Sequence, residues 1–172
     1  MSAPEHWLRG PIAGIEPLLQ PVAHALRQAL DDVEGAIAGL TPDEIGLGPG
    51  GAASLAFHLR HLAGSTDRLF TYARGESLSG AQREALRAEE AREATPDAGA
   101  LLAGVRATID RALAQLRATP ASALLSPREV GRARLPSTVL GLLFHAAEHA
   151  QRHTGQIVAT AKIVRGMRGA TR

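Results

Sequence analysis

Five of the chain's seven histidines fall in two short stretches: His58 and His61 in AFHLRHLAGSTD, and His145, His149 and His153 in HAAEHAQRHTGQI. Four residues advance an α-helix by slightly more than one turn, so the last three stand on one helix face as a slowly rotating column. Neutral imidazole is the commonest metal ligand, and positions i and i+4 hold their Cβ atoms roughly 5 to 6 Å apart, close enough for two rings to reach one ion. A third His from another helix completes the three-ligand set of catalytic metal sites, with a fourth position left for water or substrate. At about 1.5 Å rise per residue, His145 and His153 are roughly 12 Å apart along the axis, too far to share an ion comfortably. Spacing therefore predicts His149 with either His145 or His153, joined by His58 or His61, and leaves those four sets open.

The competing arrangement is a metal-free polar core, its rings bonded to one another or to carboxylates such as Asp67 and Glu148. That is demanding, because every buried imidazole must find a partner. The zinc-protease pattern H-E-x-x-H is absent, since Ala146 follows His145 and Ala150 follows His149. His6 and His24 stand alone and read as surface or packing residues.

Helices must position these rings. From Pro17 to about Gly39, Leu18, Leu19, Val22, Leu26, Leu30, Val33 and Ile37 recur at three- and four-residue steps, the mark of an amphipathic helix. Thr41 and Glu44 form a capping box, although the glycines that follow allow about one turn. A second long helix is expected over about Ala53 to Arg74, with Leu55, Leu59, Leu62, Leu69 and Tyr72 inward and Gly75 ending it. Ser79 and Gln82 predict the cap of a short charged helix through Glu93, lying outside the core. Thr95, Pro96 and Asp97 predict the start of a third long helix through Thr119. After the proline-rich connection 120–136, a last helix is expected from near Ser137 to about Val164. The chain thus reads as all-α, a four-helix bundle with a long crossover before the last helix and a shared internal site. Residues 1–172 read as one domain, with 1–16 an arm pinned by Trp7 and 165–172 a flexible tail.

Composition limits the chemistry. With no cysteine, the chain excludes disulfides, thiolate metal ligands and a thiol nucleophile of its own. The net charge is +2 and the arginines are interspersed with acids, so no nucleic-acid partner is expected. No apolar run approaches the roughly 20 residues of a membrane span. The N-terminus lacks the basic and apolar regions of a signal peptide, which predicts a cytoplasmic protein.

The stretch GGAASLAFHLRHLAGSTDRLFTYARGESLS, followed by LPSTVLGLLFHAAEHAQRHTGQI, resembles the DinB/YfiT-like superfamily, four-helix bundles with a three-histidine metal site. The resemblance implies His61, in HLAGS, as first ligand, with His149 and His153, in EHAQRHTGQ, as the other two. His58 and His145 are additional, one turn from a ligand on each helix, and their placement suggests holding a ligand or facing substrate. The resemblance further implies a divalent metal, zinc or nickel first and iron next. It points to an S-transferase that uses a low-molecular-weight thiol on a small-molecule substrate, with Arg60, Arg68 or Arg152 as candidate anchors for the thiol's carboxylates. A metal-dependent hydrolase and a non-catalytic metal-binding stress-response bundle are the alternatives. A homodimer is expected, and the resemblance names no catalytic residue.

Overall fold

The computed structural model describes residues 4–89 and 97–170. In chain order the elements are α1 (Gln20–Ile37), the short α2 (Pro42–Gly46), α3 (Leu55–Ala73), α4 (Gly80–Ala88), α5 (Ala98–Ala118), a hairpin of β1 (Pro127–Val130) and β2 (Leu135–Thr138), and α6 (Val139–Ala170). The long helix α6 packs along α1 and α3, and α5 closes against the same two. Among the described residues the regular structure is helical apart from one hairpin.

The helices lie where three- and four-residue periodicity places them, because each buries one apolar stripe. On α1 the stripe is Val22, Leu26, Leu30, Val33 and Ile37. Leu18, expected to belong to it, is 66% exposed, since Pro17–Leu19 form a 3-10 turn that advances residues by a different angle from the α-helix after it. On α6 the buried stripe includes Ala146, Ala147, Ala150 and Ala161. Such small side chains let neighbouring helices approach closely, which brings side chains of α3 within reach of those on α6.

Side-chain caps fix the helix starts, each worth about 0.5 to 2 kcal/mol. Ser54 accepts from the Phe57 amide at 3.2 Å and Asp97 from the Ala100 amide at 3.0 Å. Full capping boxes form at Thr41 with Glu44 and at Ser79 with Gln82. Thr95 and Pro96, expected in the α5 start signal, and Glu93, the expected end of the short helix, lie outside the described residues.

Two regions depart from expectation. The connection 120–136 contains a hairpin pairing Pro127 with Thr138 and Val130 with Leu135. Prolines are tolerated in it because each strand of a two-stranded ribbon has an outward edge where no ladder donor is required. The hairpin leads directly into α6, whose first amides, Val139 and Leu140, donate to Ser126 and Leu124 at 3.2 and 2.9 Å. At the other end α6 runs past Val164 to Ala170, where the Arg168 guanidinium pairs with Glu44 and donates to the Gly39 carbonyl. In the N-terminal arm, Trp7 is 63% exposed and does not pin the segment. The buried His6 does, bonding Asp31 at 2.8 Å, while His24 holds the Gly10 carbonyl at 3.0 Å. Both isolated histidines are thus packing residues. Among the described residues, no helix is long and apolar enough to cross a membrane.

Candidate metal centre

Ser54 starts α3 so that Phe57, His58 and His61 occupy its first two turns, and these turns lie against the middle of α6. His61, His149 and His153 each offer one ring nitrogen to a common region, with the three candidate ligand atoms within 4.8 Å of one another. Of the four sets that spacing left open, this is the one whose members converge. Ligands about 2.0 to 2.1 Å from a tetrahedral ion are separated by about 3.3 Å, so small ring rotations bring these three to coordination distance.

Each ring is held differently. His61 donates from Nδ1 to Glu89 Oε2 at 2.7 Å, which leaves its Nε2 lone pair facing His149 Nε2 at 2.9 Å. Phe57, one turn earlier, stacks on the His61 ring with centroids 5.5 Å apart and planes only 11° from parallel. His153 Nδ1 meets His58 Nδ1 at 3.0 Å, one nitrogen donating to the other. His149 Nδ1 is buried and has no hydrogen-bond partner among the described residues. A neutral imidazole carries one donor and one acceptor nitrogen. Three such rings around one point gather more lone pairs than the hydrogen bonds between them use, a surplus that a cation would satisfy.

The electrostatics favour the neutral form of His58, His149 and His153. Burial, with repulsion from His61, His149 and His58, pushes His153 down to about 4. His149 is lowered by burial and then by His61, His145 and Arg152, and His58 by burial and then by His61. Deprotonated imidazole is the form that ligates metal.

The additional histidines occupy opposite ends of this cluster. His58 is buried beneath His153, whereas His145 is exposed, its ring 5.6 Å from that of His149 and its Nδ1 3.2 Å from Glu148. Neither joins the converging set. Of the candidate arginines, Arg68 is paired with Glu89 and Arg152 with Glu148. Arg60 borders a cavity of about 440 Å³ between α3, α4 and α5.

Comparison with known proteins places the chain in a family. The model of the DinB superfamily matches residues 25–157. The chain belongs to the DinB superfamily. A conserved protein from Enterococcus faecalis, known from its crystal structure, has the same fold with a TM-score of 0.72 at 19% identity, over 86% of this chain and 97% of that one. No curated protein matches.

In this DinB-superfamily chain the carboxylate at the site is neither Asp67 nor Glu148. Asp67 accepts instead from Gln82 at 2.6 Å. The partner of His61 is Glu89, just past α4, 5% exposed and ion-paired to Arg68. Periodicity could not find it, because it lies beyond the end of a helix that buries none of its own side chains. A signal was nevertheless present in Gly64, mid-helix in HLAGS. A Cβ there would meet Glu89 Oε1 at 2.4 Å and the Arg68 guanidinium at 2.7 Å.

Proposed function

We propose that the protein binds a divalent cation through His61, His149 and His153 and acts as a metal-dependent S-transferase, taking a low-molecular-weight thiol as co-substrate. The observation carrying this reading is the convergence of three imidazoles from two helices. Zinc and nickel suit an all-imidazole donor set, and iron is the next candidate. The bound cation supplies Lewis acidity, lowering the pKa of a thiol or water in its open position. With no cysteine in the chain, a thiol has to come from outside.

The chain's own residues would do the rest. Glu89 fixes the His61 ring, Phe57 covers one of its faces, and His58 backs His153 from the interior. The exposed His145, with Glu148 and Arg152 beside it, lies on the solvent side, where a small-molecule substrate would approach. The same reading takes residues 1–172 as one cytoplasmic domain, paired into a homodimer through exposed helix faces, which sedimentation velocity tests.

The deciding assay follows conjugation of an electrophile with several thiols, with and without added zinc or nickel. Turnover that requires both metal and thiol is expected. Product formed from metal alone would replace the transferase with a hydrolase, and tight metal binding without turnover would leave only the binding function.

A further inference from the structure

We infer that Glu89 is a positioning residue of the metal centre and that, through it, α4 is coupled to metal occupancy. The inference rests on the ligand set proposed above, with His61 as a ligand. Glu89 Oε2 accepts a hydrogen bond from the His61 Nδ1–H, so the opposite nitrogen, Nε2, is the one turned to His149, 2.9 Å away. A carboxylate on the far nitrogen of a ligand histidine fixes both tautomer and ring direction and raises ligand basicity. The other carboxylate oxygen is bonded to Arg68, which compensates a buried negative charge.

Gly64 supports this independently. It lies mid-helix in α3, where glycine costs about 0.5 to 1 kcal/mol relative to alanine. It has no positive φ to justify it, and the space a side chain would fill is taken by the Glu89 carboxylate and the Arg68 guanidinium.

Among the described residues, α4 has little else to hold it. None of its side chains is buried, and its side-chain bonds to α3 are those of Gln82 to Asp67 and Thr71, at 2.6 and 2.7 Å. If Glu89 strengthens metal binding, reciprocity requires metal to strengthen the docking of Glu89 and of the helix that carries it.

The test titrates zinc and nickel into the metal-free full-length protein and two variants, with hydrogen exchange of the α4 amides followed in parallel. Glu89→Gln keeps an acceptor but removes the charge, and should weaken metal binding about 10- to 100-fold. Gly64→Ala favours the helix while displacing the carboxylate, and should weaken it in the same direction. Zinc should slow α4 exchange in the unmodified protein and do so less in either variant. Nitrogen-15 spectra of metal-free protein should place the His61 proton on Nδ1, and Gly64→Ala should shift it toward a tautomer mixture. Binding within threefold of the unmodified protein in both variants overturns the inference, as does α4 exchange indifferent to metal. Should Glu89→Gln fail to fold, the exchange of the unmodified protein and the alanine variant decide. Failure of the unmodified protein to bind either metal would instead defeat the ligand assignment itself.

Discussion

The α3 and α6 sides of the histidine cluster are supported in different ways. On α3, His61 is braced by a buried carboxylate that is in turn held by Arg68, with an aromatic ring against its face. On α6, His153 is braced by a neutral imidazole, and His149 Nδ1 has no hydrogen-bond partner among the described residues. Two proposed ligands one turn apart on a single helix would share its rigidity and need little further alignment. The single proposed ligand opposite has no such companion, and its orientation comes from side chains around it.

Several measurements would break or sharpen that contrast. Removing a ligand has the largest expected effect: His61→Ala or His149→Ala should lower zinc affinity on the order of a hundred- to a thousandfold by calorimetry. Equal retention of metal in both variants would dissolve the contrast altogether. His58→Ala should weaken binding about tenfold and cost about 1 to 3 kcal/mol of stability in denaturant unfolding, because a buried nitrogen of His153 loses its partner. If this neutral brace proved as important as Glu89, charge would not be what distinguishes the two sides.

A third expectation concerns pH. His58, His149 and His153 are held below the ordinary imidazole value of 6.5, with burial the leading cause. In the metal-free protein the unfolded chain therefore takes up protons that the folded chain refuses. Stability should be fully present above about pH 6.5 and fall as pH drops toward 4, reversibly, in a denaturation series. A flat profile across that window would mean that the α6 rings are solvated. The smallest effect is expected from His145→Ala, which should leave zinc affinity within about twofold and stability within about 0.5 kcal/mol, as for other exposed positions.

Much of this was legible in the chain itself. The long helices follow from apolar spacing, and Thr41, Ser79 and Asp97 cap where small polar residues preceding a helical pattern should, while Ser54 caps one residue inside the expected start at Ala53. Residue spacing narrowed the ligands to four sets, since i, i+4 geometry is local, but the pairing of α3 with α6 depends on how far one helix slides and turns against the other. Glu89 was hidden for the same reason: its role comes from tertiary approach, and Gly64, the residue permitting it, looks locally like a flaw in a helix. The hairpin escaped because prolines at 127 and 136 argue against strands unless both strands are known to be edges. Trp7 was misassigned because size suggested an anchor, whereas the arm is fastened by the polar bond of His6 to Asp31.

The tethering of α6 has a mechanical consequence. Its first amides are tied to Leu124 and Ser126 ahead of the hairpin and its last turn is clamped to Glu44, with His149 and His153 near mid-span. A beam fixed at both supports resists sliding and torsion, so the backbone positions that carry its two imidazoles stay put. Any change in the size of the opening they face has to come from the opposite wall.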